Sequence, residues 1–326
     1  MNINPKELDE YFNKFKELNL LVIGETLIDR YYFGNQMSQF RVECLIEFLS
    51  KETKDYLGGA GLVANNASSF VKVVDLVTLT NKDTSYIQNK LNSNVNLIPI
   101  VVEDYPIPIK TRYVDKSTGR YYFKSTIIND RQINNETEDK IISNLDLNKY
   151  DIIIIIDKGH GMMTDNIINY ISGKGRYISV NCQANAENYG YNRVDRYKKV
   201  NLVLLNQREI RNLLQNRDDN MYKLINNMRE LLEYDRIIVT LGKDGCMISD
   251  KRRTMKAKMI SNSDTIDPIG AGDAVQVITT LLSYCNVPID KTAYIGNLAG
   301  NLVCKTLGTD TGLKKDSLYD ICNRYR

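Results

Sequence analysis

Asp151-Ile-Ile-Ile-Ile-Ile-Asp157 reads as a strand with two apolar faces, and it decides the fold class. A run without polar alternation needs cover on both sides, as strands of a parallel sheet between helical layers have. Leu20-Leu-Val-Ile-Gly24, Val71 to Leu79, Arg176 to Val180, Leu202-Val-Leu-Leu205 and Arg236 to Thr240 read as further strands. Between them, Thr164 to Ile171 and Met221 to Leu232 place apolar residues at helical spacing. The alternation predicts an α/β fold of three layers, a doubly wound and mostly parallel sheet with helices on each face.

Two stretches break that rhythm. Residues 31–54 and 98–125 alternate apolar and polar side chains, as in Lys110-Thr-Arg-Tyr-Val and Arg120-Tyr-Tyr-Phe-Lys, around the turn Ser117-Thr-Gly119. They predict antiparallel strands inserted into the α/β core as a β-lid. No segment reads as a flexible linker and no repeat is visible, so a single domain over residues 1–326 is expected.

Composition narrows the function classes. The chain has 326 residues, 43% apolar and 25% charged, ordinary for a globular protein. At that length roughly three quarters of the unfolded surface can be buried, so no disulfide or metal staple is needed. A net charge of +3 is too slight to imply nucleic acid or an anionic membrane as partner. The six cysteines are scattered without a Cys-x-x-Cys, which predicts buried thiols in a reducing compartment. The N-terminus is polar and acidic, and no apolar run approaches the ~20 residues that span a bilayer, so a cytoplasmic protein is expected. One histidine excludes a His–His metal site and the His-x-Gly-His signature of nucleotidyltransferases.

The chemistry concentrates in Asp267-Pro-Ile-Gly-Ala-Gly-Asp-Ala274, which runs into the apolar helical segment Val275 to Leu282. Two glycines around an alanine let the backbone turn tightly and present N–H groups at a helix start, where the dipole favours an anion. Asp273 lies beside that site, where a hydroxyl attacking a phosphoryl group needs a base. A carboxylate is a weak base, which suffices because phosphoryl transfer is mostly positioning and charge stabilisation. Alone, the segment also fits, less well, a helix N-cap after a glycine turn.

With the segments that accompany it, the chain resembles the ribokinase-like (PfkB-type) carbohydrate kinases, whose signature is Asp-x-x-Gly-Ala-Gly-Asp. Asp267, Gly270, Ala271, Gly272 and Asp273 match it, and the resemblance runs from about Leu20 to about Thr311 in family order. It implies ATP-dependent transfer to a sugar hydroxyl, with Asp273 as base and the Gly270–Gly272 N–H groups holding the phosphoryl charge. Gly24-Glu-Thr-Leu-Ile-Asp29 then puts Asp29 on the substrate, and Gly58 to Asn66 puts Gly58, Gly59 and Asn66 around the sugar. Asn206-Gln-Arg-Glu209 matches the family's Asn-x-x-Glu. Asn206 would donate to a phosphate oxygen with its carbonyl toward the water shell of Mg²⁺, which Glu209 would hold through water. Thr240-Leu-Gly-Lys-Asp-Gly245 matches the nucleotide loop, with Thr240, Gly242 and Gly245 on ATP, the glycines letting backbone approach the nucleotide. Asn297-Leu-Ala-Gly-Asn and Lys305 to Thr309 resemble the adenine-side helix and its loop. Family members often bind a monovalent cation beside the anion hole, and Asp267 is the matching seat for K⁺. Lids of the family often pair, which implies a homodimer.

Within the family the chain most resembles heptose 7-phosphate kinases and their relatives, often fused to a nucleotidyltransferase. Here the chain stops at Arg326 without the histidines of that signature, so a separate nucleotidyltransferase is the expected partner in the pathway. A substrate carrying its own phosphate needs cations, and Arg41, Lys110, Arg112, Arg120 and Lys124 lie on the expected lid strands. His160, in a Gly-His-Gly turn after the most apolar strand, is expected to touch substrate or phosphate. Asn181 and Gln183 follow another strand, where heptose kinases carry a charged pair. Glu25 stands where the family usually has Asp, and Leu62 where many members have a sugar-binding asparagine.

Other readings fit less. Gly59-Ala-Gly-Leu-Val-Ala64 matches the dinucleotide pattern, but the polar Ser50 to Tyr56 precedes it where an apolar strand belongs. No Gly-x-x-x-x-Gly-Lys-Ser/Thr is present. A catalytically silent sugar- or nucleotide-binding protein on the same fold has no chemical need for Asp273, Asn206 and Glu209 together. Kinases of another sugar, a hexose phosphate or a nucleoside remain as alternatives within the class.

Overall fold

A computed structural model describes residues 3–37, 47–129, 131–184, 186–188, 190–259, 265–308 and 312–324. Among the described residues thirteen strands form two sheets: β1 (Asn19–Gly24), β2 (Thr26–Gln36), β3 (Phe48–Gly59), β4 (Val73–Thr80), β5 (Val95–Val101), β6 (Ile109–Asp115), β7 (Tyr121–Ile127), β8 (Ile152–Asp157), β9 (Ile178–Cys182), β10 (Leu202–Asn206), β11 (Arg236–Thr240), β12 (Cys246–Asp250) and β13 (Thr254–Ala257). Nine build the main sheet in the order β13-β12-β11-β10-β9-β8-β1-β4-β5. Its pairs are parallel except at the edge, where β12 runs antiparallel to β11 and to β13.

The pentad of isoleucines shows why both faces had to be apolar. Ile152, Ile154 and Ile156 join the core beneath the helices Ala60–Ser68, Ala271–Tyr284 and Ile289–Val303. Ile153 and Ile155 enter the opposite core, with Ile167, Ile168 and Ile171 of the helix Asp165–Lys174. All five are fully buried, each worth about 1.5–3 kcal/mol relative to exposure. Strand and helix positions thus agree with the reading from the sequence, and the fold is the expected three-layer α/β.

The second sheet has four strands in the order β3-β2-β6-β7. It differs from expectation in two respects. β2 pairs with β6 in parallel, so the sheet is mixed and not wholly antiparallel. Ile98 to Val101 belongs to β5, the edge of the main sheet, because Val95 to Val101 lies beside β4. Tyr31, Phe33, Tyr56 and Val114 form a small core on one side of this sheet, against Ile269 and Leu307 of the main body. The hairpin β12–β13 was not anticipated; its strands are short and their signal is local.

Candidate active site

β2 and β6 bring three predicted residues together. Asp29 lies level with Lys110 in the register, and Arg112, two residues along the same strand, presents its side chain to the same face. Arg112 forms an ion pair with Asp29. A Cβ at Gly58 would collide with Asp29 Oδ2, so the glycine admits the carboxylate. Gly59, at φ +60, hands β3 to the helix Ala60–Ser68.

The opposite wall is the start of the helix Ala271–Tyr284. Gly270 sits at φ +82 as its N-cap and has no side chain to satisfy the first-turn N–H groups. Ala271 N–H turns back to Pro268 O at 3.3 Å, which leaves the next amides to face an anion. Asp273, in that first turn, borders a cavity of about 320 Å³. Asp29, Gly59, Lys110, Arg112, Asn181, Gln183, Asn206, Glu209, Thr240, Gly270 and Gly272 line it with Asp273.

Asn206 and Glu209 form a reciprocal capping box. Asn206 Oδ1 accepts from the N–H groups of Arg208 and Glu209 at 2.9 and 3.0 Å, and Glu209 Oε2 accepts from Asn206 N–H at 2.7 Å. The Asn206 carbonyl is therefore engaged with the helix and not turned to a metal's water shell, a correction to the expected role. Burial pushes the Glu209 carboxyl up to about 7. A buried carboxylate at a cavity wall fits a cation beside it. Among the described residues no three His, Cys, Asp or Glu side chains gather to chelate a metal. A divalent ion at Glu209 would then keep most of its own waters, as Mg²⁺ does.

Asp267 is fully buried, and its oxygens accept from Tyr31 Oη at 2.9 Å, Gly308 N–H at 3.0 Å and Ile269 N–H at 3.1 Å. All three donors are neutral, so its charge is unbalanced by them and fits a monovalent cation nearby. A second, larger cavity of about 950 Å³ adjoins the first and shares Asn206, Thr240, Pro268 and Gly272 with it. Gly242, Gly245, Ala271 and Asn297 line it. Gly242, at φ +60, has open space around it. Gly245 lies on the wall of that cleft, and its missing Cβ makes room for the backbone of Ala257 and Met259. Asn297 Nδ2 donates to Ala257 O at 2.8 Å, tying its helix to the end of β13.

Several predicted residues lie elsewhere. Arg41 falls outside the described residues. Asn66 and Leu62 line a different cavity, and Asn66 Oδ1 accepts from Leu313 N–H at 2.7 Å. Arg120 is exposed, and Lys124 pairs with Glu187 instead of lining the central cavity. His160 is fully buried and lines neither of the two adjoining cavities; burial, then the charge of Lys110, lowers its imidazole to about 4. The structure therefore gives no support to a substrate contact there.

The contacts of three charged residues were not read from the sequence, although Glu25 was noted there for replacing the family's usual Asp. Glu187, half-buried in the loop after β9, pairs with Lys110 at 3.8 Å and with Lys124, so that loop does carry a charge beside the amides. Lys158, directly after β8, places Nζ 3.4 Å from Asp273 Oδ1. Glu25 is fully buried and accepts N–H bonds from Lys158 at 2.9 Å and from His160 and Met162 at 3.2 Å. Each contact joins segments at least 63 residues apart, and nothing in local spacing announces it.

An anion cradle at a helix N-terminus, with a carboxylate beside it and a nucleotide-sized cleft behind, defines a phosphoryl-transfer site. The chain belongs to the pfkB family of carbohydrate kinases, which it matches over residues 17–316. It is an ATP-dependent sugar kinase, and the family implies use of a divalent metal. Among curated proteins it is similar to the bifunctional protein HldE of Aliarcobacter butzleri, 27% identical over 94% of this chain and 64% of that protein. HldE of Geotalea uraniireducens is 22% identical over 94% of the chain and 63% of its own length. The chain thus spans just under two thirds of these relatives. In fold it resembles phosphofructokinase-2 from Escherichia coli, solved with potassium, at TM-score 0.75 and 15% identity over 95% of this chain and 99% of that one. Ribokinase from Thermotoga maritima gives 0.70 and 16% over 94% and 99%. No helix among the described residues is long and apolar enough to cross a membrane.

Proposed function

We propose that the chain transfers the γ-phosphoryl group of ATP to the anomeric hydroxyl of a heptose 7-phosphate. The observation that carries this reading is the cavity in which Asp273 and the glycine-capped helix face Lys110 and Arg112 across about 320 Å³. An acceptor that already bears a phosphate uses such cations, and the likeness to HldE supports a heptose.

In this scheme Asp29 and the Gly58–Gly59 turn hold sugar hydroxyls, and Asp273 orients the attacking hydroxyl and accepts its proton. The amides that follow Gly270 stabilise charge on the group in transit. The nucleotide lies in the larger cleft past Thr240 and Gly242. Mg²⁺, when bound, supplies charge neutralisation on the phosphates, and Glu209 would hold it through water; Asp267 would seat K⁺. The four-stranded sheet acts as a lid that excludes water, so that ATP is not hydrolysed. We extend the proposal to a homodimer through the outer face of that sheet, where Phe123 and Ile127 are exposed. A cytoplasmic setting completes the reading.

ADP release from MgATP across a panel of sugars, hexose phosphates, nucleosides and heptose 7-phosphates tests it. Turnover confined to the heptose 7-phosphate is the expected outcome. Equal turnover with an unphosphorylated sugar would overturn the choice of acceptor.

A further inference from the structure

Lys158 lies where a lysine is expensive to keep. Its side chain is 4% exposed, and it borders the central cavity between two carboxylates. One is Asp273, with Oδ1 3.4 Å from Nζ. The other is Glu209, which the Lys158 charge favours in its ionised form. Burying an ammonium costs several kcal/mol unless partners compensate it, and these partners are groups placed here at the reacting centre.

The backbone that carries Lys158 is also fixed with unusual care. Glu25 uses both carboxylate oxygens on one turn: Oε2 takes the Lys158 N–H, and Oε1 takes those of His160 and Met162. Glycines on either side of His160, at φ +75 and +91, give the turn a shape that an L side chain rarely adopts. Glu25 is fully buried, so these bonds have no competition from bulk water.

We propose that Lys158 is a further catalytic residue, whose ammonium contacts the phosphoryl group in transit, and that Glu25 is its positioning residue. The inference rests on the kinase reading and deepens it. In the step, the acceptor O–H gives its proton to the Asp273 carboxylate and the acceptor oxygen bonds to the γ-phosphorus. The bond from that phosphorus to the bridging oxygen breaks, and its electron pair leaves with ADP. Lys158 stays protonated throughout. As Asp273 takes up the proton its charge vanishes, and the ammonium exchanges the carboxylate for the phosphoryl oxygens. The contact is therefore stronger in the transition state than in the ground state, which is what lowers a barrier.

The test compares wild type with Lys158→Ala, Lys158→Arg, Glu25→Gln and the double variant Glu25→Gln/Lys158→Ala. Folding is monitored by circular dichroism and nucleotide binding by fluorescence titration with ADP. In Lys158→Ala, kcat is expected to fall on the order of 10²–10³-fold with ADP affinity within about threefold of wild type. Added ethylammonium restores at least tenfold of that loss, and Lys158→Arg loses less than Lys158→Ala. Glu25→Gln lowers kcat on its own but costs little more in the Lys158→Ala background, the non-additivity of residues acting through one group. A folded, ADP-binding Lys158→Ala enzyme that keeps wild-type kcat, or that no amine restores, overturns the inference and leaves the kinase reading standing. Absence of acceptor-dependent turnover in wild type itself overturns both.

Discussion

His160 and Glu25 titrate in opposite senses from neighbouring positions. Burial lowers the His160 imidazole to about 4 from its ordinary 6.5, while burial and the nearby Asp157 charge raise the Glu25 carboxyl from 4.5 to about 7. Between pH 6.5 and 4 the unfolded chain binds a proton at His160 that the folded protein refuses, so stability falls as pH falls through that window. Between pH 7 and 4.5 the folded protein holds a proton on Glu25 that the unfolded chain has released, so this contribution rises as pH falls. The two partly cancel, and removing one exposes the other. In urea denaturation, His160→Gln is expected to gain on wild type by up to about 3 kcal/mol between pH 7 and 4.5. Parallel pH profiles for the two proteins would contradict the account of a neutral, buried imidazole. The sequence offered His160 as a ligand contact because its turn follows a strand end, the usual place for ligands. What spacing omits is the direction of the side chain: the glycine turn folds the imidazole inward while the neighbouring Lys158 faces the cavity.

At the scale of elements, legibility followed burial. β8 was readable because five isoleucines serve two cores at once, and the strand therefore advertises both neighbours in its own composition. Ile154→Ala is expected to cost about 2–5 kcal/mol, with Ile127→Ala at the exposed end of β7 within about 0.5 kcal/mol of wild type. Chemical denaturation reads both, and a similar cost at the two positions would contradict the assignment of β8 to the centre. The four-stranded sheet was legible as alternation but not in its pairing. β2 finds β6 across more than 70 residues, and a period of two is the same for parallel and antiparallel partners. Ile98 to Val101 alternates equally well as an edge strand of the main sheet. The helix Ala271–Tyr284 was announced by its glycines, and Gly270 at φ +82 shows why the first of them is needed.

For the whole molecule, the motifs in family order located one wall of the site, and the long-range pairs Lys158–Asp273 and Glu187–Lys110 had to come from the structure. The outer face of the smaller sheet is a ladder of rings, with Tyr32 stacked on Tyr113 at 5.1 Å and Tyr113 on Phe123 at 4.1 Å. Phe123 and Ile127 stand exposed on that face. If that face joins two copies, Phe123→Lys with Ile127→Lys yields a monomer by light scattering after size exclusion while wild type elutes as a dimer. A wild-type monomer would contradict the pairing.

The central claim is tested most directly by the product itself. Wild type and Asp273→Asn are incubated with MgATP and heptose 7-phosphate, and ³¹P NMR follows the reaction. The account predicts a new phosphomonoester signal coupled to the anomeric proton with wild type. In Asp273→Asn that signal should grow more slowly by about 10²–10⁴-fold, while ATP still binds. A variant that forms product at the wild-type rate, or a new phosphate coupled to any other proton of the sugar, would contradict it.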